Sequence, residues 1–515
     1  MEPIKEEILQ EEIQETNQKK KNPLFPFIGI GSLIYAAFYT FCLYKNSSGI
    51  TYPFFVGGTC FFFFFYLKKL RVTAKKFSPF LTVSLLLLGL GICLTDSYAL
   101  IIYNKMGIFF LFFYMVLHNL YEDKDWNIPK YLGSIINILF TSLVFLFRPF
   151  TDLFAFMNEH KKQNHRFSGK GKYVFSGLLI AFPLLFVILL FLYEADAVFS
   201  DLFDRIIFFD IYIDFSDHIW GITFLFLFIF FASYCILTRI SIHDLKEEVI
   251  DKRTAEPITG ITFTALISLV YLVFCYIQVV YLFGGFGTLP EGYTYASYAR
   301  EGFFQLVFVC FINLALVLIC MRRFRENKIL KGILTFISIC TYIMIASSAY
   351  RMLLYIQTYY LTFLRLFVLW MLLVLSLLMA GALVMIYRDS FPLTRYYVIT
   401  ITLLYLIFSF AHPDYWIANY NLNHIYLFEE SFKEDSYRYG YDDFYYLTHL
   451  SDDAAPVIFE NAKKLGYEEE NWFQNYTEHI EYKISERKEE GALSIRNWNL
   501  SRWTAMNLLS SHLTH

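Results

Sequence analysis

The chain reads as an all-α protein, a polytopic transmembrane helix bundle followed by a small helical soluble segment. Three observations predict this: the number and length of its apolar runs, the scarcity of charge within them, and the alternation of lysine and arginine between loops. Of 515 residues, 57% are hydrophobic and 17% charged, against about 45–50% and about 25% in ordinary soluble domains. No soluble core hides so many apolar runs of about twenty residues, whereas a bilayer requires that length. The net charge of −3 offers no basic surface for nucleic acid.

Residues 1–22 are acidic, with Glu2, Glu6, Glu7, Glu11, Glu12 and Glu15, and close on Lys19, Lys20 and Lys21. The apolar run behind them continues for a full span, so it is predicted to be an uncleaved anchor with a cytoplasmic tail and not a signal peptide. Windows able to cross follow at 25–44, 50–67, 79–95, 98–120, 173–193, 217–239, 258–284, 302–321, 330–350, 361–387 and 394–411. A further window, 131–149, is ambiguous.

Positive charge orients these spans. With the N-terminus inside, Lys68, Lys69, Arg71, Lys75 and Lys76 are cytoplasmic, as are Arg239, Lys246, Lys252 and Arg253, and then Arg322, Arg323, Arg325, Lys328 and Lys331. The loop 194–217 is acidic and falls outside. If 131–149 crossed, Lys161, Lys162, Arg166, Lys170 and Lys172 would lie outside and every later loop would invert. Its polar residues Ser134, Asn137 and Thr141 recur at helical spacing, as an interfacial helix needs. The reading is therefore about eleven crossings with the C-terminus outside; about twelve, with a cytoplasmic tail, is the alternative.

Three regions result: an acidic cytoplasmic tail at 1–22, a transmembrane bundle at 23–411 and an extracytoplasmic helical domain at 412–515. Within the last, Ser451-Asp452-Asp453-Ala454-Ala455-Pro456 reads as a capped helix start with proline in the first turn. Ala454–Leu465 and Arg496–Leu513 have helical apolar spacing.

Most chemical motifs are absent. The eight cysteines lie in or beside apolar segments without C-x-x-C spacing and read as packing residues. Gly284-Gly285-Phe286-Gly287 has no strand before it and reads as a turn, not a phosphate loop. The sequence calls for no catalytic residue, no metal and no cofactor. Tyr293, Tyr295, Tyr298, Tyr355, Tyr359 and Tyr360 fit an interfacial aromatic belt.

One set of charges stands out at the predicted outer ends of the spans. Glu194 and Asp196 follow the window 173–193, Arg300 and Glu301 precede 302–321, Arg351 closes the next helix, and Arg365 lies about one turn inside the one after. Charges at bilayer depth face a protein interior or a cavity and find partners. The set reads either as an ion-pair network fixing helix ends, with Arg365 reaching the headgroups, or as an outward pocket where Arg351 and Arg365 hold an anion.

Several segments resemble a known family. They are Ala195-Asp196-Ala197-Val198-Phe199, Thr294-Tyr295-Ala296-Ser297-Tyr298-Ala299-Arg300-Glu301-Gly302-Phe303-Phe304-Gln305-Leu306, Ser348-Ala349-Tyr350-Arg351-Met352 and Leu361-Thr362-Phe363-Leu364-Arg365-Leu366. In the tail they are Pro413-Asp414 with Ile417-Ala418 and Asn421, Asp453-Ala454-Ala455-Pro456, and Trp498-Asn499-Leu500-Ser501. Together they resemble the uncharacterised bacterial membrane family catalogued as domain of unknown function 4173, with relatives under 4153. Tyr360 replaces that family's usual glycine, and Asn419 and His424 stand where basic residues are common. The resemblance implies a bacterial inner-membrane protein and supplies no substrate.

Three function classes follow. The first is a non-enzymatic sensor, assembly factor or scaffold; the second a transporter or lipid-handling permease using the charged pocket; the third a membrane-embedded transferase with outer acids such as Asp96, Asp196 and Asp201. The partners implied are the lipid bilayer and, at the outer face, an envelope protein or an anionic lipid.

Overall fold

Helices account for nearly all of the chain that the computed structural model describes: residues 24–161, 217–242, 253–283, 303–431, 445–489 and 495–513, with 188, 192 and 245 singly. The acidic N-terminal tail, the loop 194–217 except for its last residue, the glycine run at 284–287, the tyrosines at 293–298 and nearly all of the window 173–193 lie outside the described residues.

Among the described residues nine helices are long and apolar enough to cross a membrane, and Ser78–Leu94 is a shorter apolar helix. The protein is an all-α, multi-pass membrane bundle. In chain order the helices are α1 Phe25–Leu43, α2 Thr51–Lys69, α3 Ser78–Leu94, α4 Tyr98–Leu120, α5 Ile128–Ser142, α6 Arg148–Lys161 and α7 Asp217–Ser241. Then come α8 Pro257–Ile277, α9 Phe303–Arg323, α10 Lys328–Tyr359, α11 Phe363–Tyr387 and α12 Leu393–Phe410. The tail adds α13 Pro413–Ser431, α14 Ala455–Leu465, α15 Asn471–Glu489 and α16 Leu500–Leu513. Two compact units divide these elements, 1–44 with 132–245, and 45–131 with 246–515.

In the first unit α1 and α7 pack as a pair. Gly221 of α7 meets Tyr44 just past the end of α1, while Tyr234 faces Phe25 at its start, 6.4 Å between rings. The two helices are therefore antiparallel. The segment after α5 gathers at the Phe25 end. Arg239 Nε donates to Thr141 at 2.6 Å, Tyr234 donates to Asp152 at 2.7 Å, and Phe156 packs on Phe25 at 5.6 Å. Thr141 and Asn137 of the predicted polar stripe both face Arg239.

In the second unit α8–α12 pack on one another, and α2, α3 and α4 form a layer that α12 joins. Polar side chains tie helices together inside, where few competing partners exist: Asn313 bridges Tyr271 and Thr341 at 2.6 and 2.9 Å, and Asn104 accepts from Tyr405 and Ser409 at 2.9 and 3.1 Å. All eight cysteines are free and buried.

The helix predicted to close at Arg351 instead runs from Lys328 to Tyr359. Asn327 caps its start by accepting from the Ile329 and Leu330 amides. It continues past Arg351 because that side chain is buried in the bundle and bonded to Gln278, so its charge does not mark an exit from the membrane.

The tail helices share one continuous apolar core with α8–α12, through Ile417, Leu450, Phe473, Tyr476, Ala505 and Leu509 among others. The predicted helix start at Ser451–Pro456 is present as a 3-10 turn over Asp452–Ala454 leading into α14, with proline in its first turn. The capping role expected of Ser451 is not: its hydroxyl donates to Asp414 instead.

Candidate functional site

The tail helices seat on the loops at one end of the second unit: 45–50 before α2, 95–97 between α3 and α4, 360–362 between α10 and α11, and 411–412 after α12. A helix leaves its last four carbonyls without internal partners, and the tail takes up several of them. Asn499 Nδ2 donates to the carbonyls of Ile92 and Thr95 at 3.3 and 2.9 Å and to that of Ser48 at 3.1 Å. Ser501 donates to the Leu94 carbonyl at 2.8 Å. At the α10–α11 corner, Asn421 brackets Leu361, accepting from its amide at 2.8 Å and donating to its carbonyl at 2.9 Å. Gly49 lets the chain at 496–497 lie against the loop: a Cβ there would fall on the Arg496 carbonyl and 2.6 Å from Asn497 Cα.

Four carboxylates occupy the centre of this junction: Asp414, Asp452 and Asp453, which are buried, and Asp96, whose side chain is 7% exposed. Buried charge is tolerated only when paired or hydrogen-bonded, and each has its arrangement. Asp96 accepts from Arg502 Nε at 2.6 Å and Arg487 Nη2 at 3.3 Å. Asp452 faces Lys483 at 3.3 Å and Arg487 at 3.4 Å, so Arg487 bridges two acids. Asp453 accepts from the Thr95 hydroxyl, from the Asp96 amide at 2.8 Å and faces His412 Nδ1 at 3.1 Å. Asp414 accepts from the Ser451 hydroxyl.

These surroundings move the titrations in different directions. Burial, helped by the charge of Asp453, holds the Asp414 carboxyl above the ordinary range against its hydrogen bonds. Burial and the charge of Asp452 push Asp96 up, with Arg502 and Arg487 opposing. Burial works the same way on Asp452, but Lys483 and Arg487 outweigh it and hold the group low. The hydrogen bond to Asp453 raises His412. Among the described residues no group of three or more His, Cys, Asp or Glu side chains is arranged to hold a metal.

Of the six residues predicted to form a charged rim, Glu194, Asp196, Arg300 and Glu301 lie outside the described residues. Arg351 and Arg365 are described, and the structure gives them different surroundings. Arg351 lies inside α10, eight residues before its end and so about 12 Å along the axis, where its Nη2 donates to Gln278 at 3.4 Å. Ser347 donates to the same oxygen at 2.6 Å, and Gln278 opens a π-helical turn, Gln278–Phe283, at the end of α8. Arg365 stands in the first turn of α11, donates to the Tyr359 and Tyr360 carbonyls and covers the Tyr355 ring at 4.3 Å. It thereby closes the C-terminus of α10.

The junction residues were visible only as pattern. Asp414, Asn421, Asp453, Asn499 and Ser501 all fall in the segments that carry the family resemblance, yet their spacing suggests no shared site. Lys483 and Arg487 sit on α15 and Arg502 on α16, and the sequence singles out none of the three. What joins the two arginines to Asp96, about 390–400 residues away, and Lys483 to Asp452 is tertiary structure.

The family model described as Domain of unknown function (DUF4153) matches residues 82–461. The match takes in every junction acid, and Arg487, Asn499 and Arg502 lie beyond it. No curated protein and no solved structure matches the chain.

Proposed function

Given that the chain belongs to the uncharacterised DUF4153 family, we propose that it is a non-enzymatic membrane component, a sensor, assembly factor or scaffold, that presents its tail helices rigidly at the extracytoplasmic face. The observation that carries this reading is the junction itself. Its acids are engaged by Arg487, Arg502, Lys483, His412 and hydroxyl groups, an arrangement suited to holding a shape. Outside it the tail exposes apolar side chains, Ile495 at 90% and Trp503 at 50%, of the kind that anchor protein contacts.

Topology supports the same reading. With Phe25 at the cytoplasmic end of α1, the anchors at Thr141, Asp152 and Phe156 all lie at that end of the α1–α7 pair. Helix α5 follows α4, which counting along the chain brings back to the cytoplasm, so α5 leaves from and returns to one face. Although Ile128–Phe145 is long and apolar enough to cross, both of its ends fall on the cytoplasmic side in this reading, as in an interfacial or re-entrant helix. The tail then lies on the outer side of the membrane.

The test places a photocrosslinking residue at Trp503 in intact cells. A discrete protein adduct that disappears with Ile495→Asp is expected. Solute movement by the purified protein in vesicles, with no adduct in cells, would overturn the proposal.

One observation favours the transporter reading as second choice: a buried arginine within a span, Arg351, beside a π-helical turn at Gln278–Phe283. Both features mark functional positions in membrane helices. In the same vesicle assay Arg351→Gln would abolish transport if this reading held.

A further inference from the structure

At the opposite end of the second unit from the tail, the loops at 121–130, 253–256 and 388–392 enclose a cavity of about 910 Å³. Its wall carries five cations, Lys124, Lys130, Arg253, Arg322 and Arg395, against the acids Asp123, Asp125 and Asp389. Two of those acids are already committed. Asp123 is bonded to His118 at 2.5 Å, to the Tyr131 hydroxyl and to Lys75 at 3.3 Å. Asp389 is paired with Arg253 at 3.2 Å, and Asp125 is exposed.

The cations are less well matched. Lys130 and Arg395 lie over the Trp126 and Phe77 rings, at 5.3 and 5.2 Å. Among the described residues Arg322 and Lys124 have no ion-pair partner. Arg322 is half-buried and shares the cavity wall with Arg253. Repelling guanidiniums at the edge of a low-dielectric region are stabilised by an anion between them.

We infer that this cavity binds a phosphoryl group carried on an organic moiety. Guanidinium pairs with phosphate oxygens in a bidentate fork, and the lysines add point charge. The volume falls in the range of small-molecule sites, about 300–1,000 Å³, well beyond what a bare phosphate fills. Trp126, Tyr131 and Phe391 supply an apolar wall for the remainder. On the topology proposed above the mouth is cytoplasmic, open both to soluble phosphoesters and to headgroups of the inner leaflet. The inference stands on the cavity alone and does not depend on the tail.

The test uses the full chain in nanodiscs of phosphatidylcholine, with and without phosphatidylglycerol, titrated with radiolabelled glycerol phosphate. Saturable binding is expected, weakened about tenfold by Arg322→Gln, which removes charge-assisted bonds, and less by the exposed Lys124→Gln. Lys68→Gln, on exposed α2, should leave binding unchanged. If the natural ligand is a lipid, phosphatidylglycerol competes and co-purifies with the wild type but not with Arg322→Gln; if it is soluble, the lipid has no effect. Should Arg322→Gln fail to fold, Arg322→Lys and Lys124→Gln carry the comparison. Absence of saturable binding in both nanodiscs, or binding that none of the cavity variants changes, overturns the inference.

Discussion

Tyr360, between α10 and α11, sits at φ 60 and ψ −176, a backbone region in which only glycine is at ease. The family resemblance places a glycine at this position, and the structure shows the physical reason for it. The strain persists because its surroundings fix the corner: Arg365 takes the carbonyls of Tyr359 and Tyr360, and Asn421 brackets Leu361. Replacing tyrosine by alanine or by glycine removes the same ring, so the difference between them isolates the backbone. Glycine ordinarily destabilises relative to alanine by about 0.5–1 kcal/mol. Here the order is expected to reverse, with Tyr360→Gly more stable than Tyr360→Ala by about 1–2 kcal/mol, read as the higher melting temperature in detergent. This residue was legible in sequence as a departure from a pattern. Arg351 was not legible in the same way: its charge reads as a helix end, and only the neighbouring Gln278, across the bundle, lets the helix run on.

The junction works at the scale of elements, joining loops and helices that are hundreds of residues apart. Asp96 is paired with Arg502 and Arg487, and all three are mostly buried. Breaking a buried pair from one side costs about 3–5 kcal/mol. Asp96→Ala is therefore expected to detach α15 and α16 from the α3–α4 corner, seen as faster proteolysis of the tail. Combining it with Arg502→Ala should cost less than the two added together, because the second change removes a charge the first has stranded. Gly49→Ala should loosen the tail's seat on the 45–50 loop without touching any charge, since its Cβ meets backbone at 496–497.

The same elements impose a pH dependence. Asp414 is raised from 3.8 by burial, so the folded state keeps its proton longer than the unfolded chain, and stability falls as pH climbs through that interval. His412 is raised from 6.5 by its bond to Asp453; its contribution is complete below 6.5 and is lost as pH rises through the folded value. Asp452, held low by Lys483 and Arg487, contributes above 3.8 and loses this in stronger acid. Melting temperature against pH should therefore peak in mild acid and decline toward neutrality and beyond. Asp414→Asn should flatten one share of the carboxylate decline, Asp96 supplying another, and His412→Gln the imidazole part; a wild-type curve that rises from pH 5 to 8 would refute the assignment.

For the whole molecule, apolar run length and charge alternation made the bundle legible: each crossing window with described structure became a helix, with ends displaced by a few residues except at α10. Local pattern also found two helices of the tail, α14 and α16, but not α13 or α15. What it left hidden was their docking, because Asn499, Arg502 and Asp96 acquire a shared purpose only when the fold closes the intervening hundreds of residues. Nor does it separate a crossing from an interfacial return at 131–149, where composition allows both.

The tail's seat on the extracytoplasmic end of the bundle is the claim on which sensing or scaffolding rests. All eight native cysteines are buried, so one introduced thiol gives a clean signal. Tyr482 on α15 is 64% exposed, and Tyr482→Cys can be treated with a membrane-impermeant maleimide in intact cells. Full labelling before lysis is the expected result; labelling only after the membrane is opened would place the tail in the cytoplasm and contradict the account.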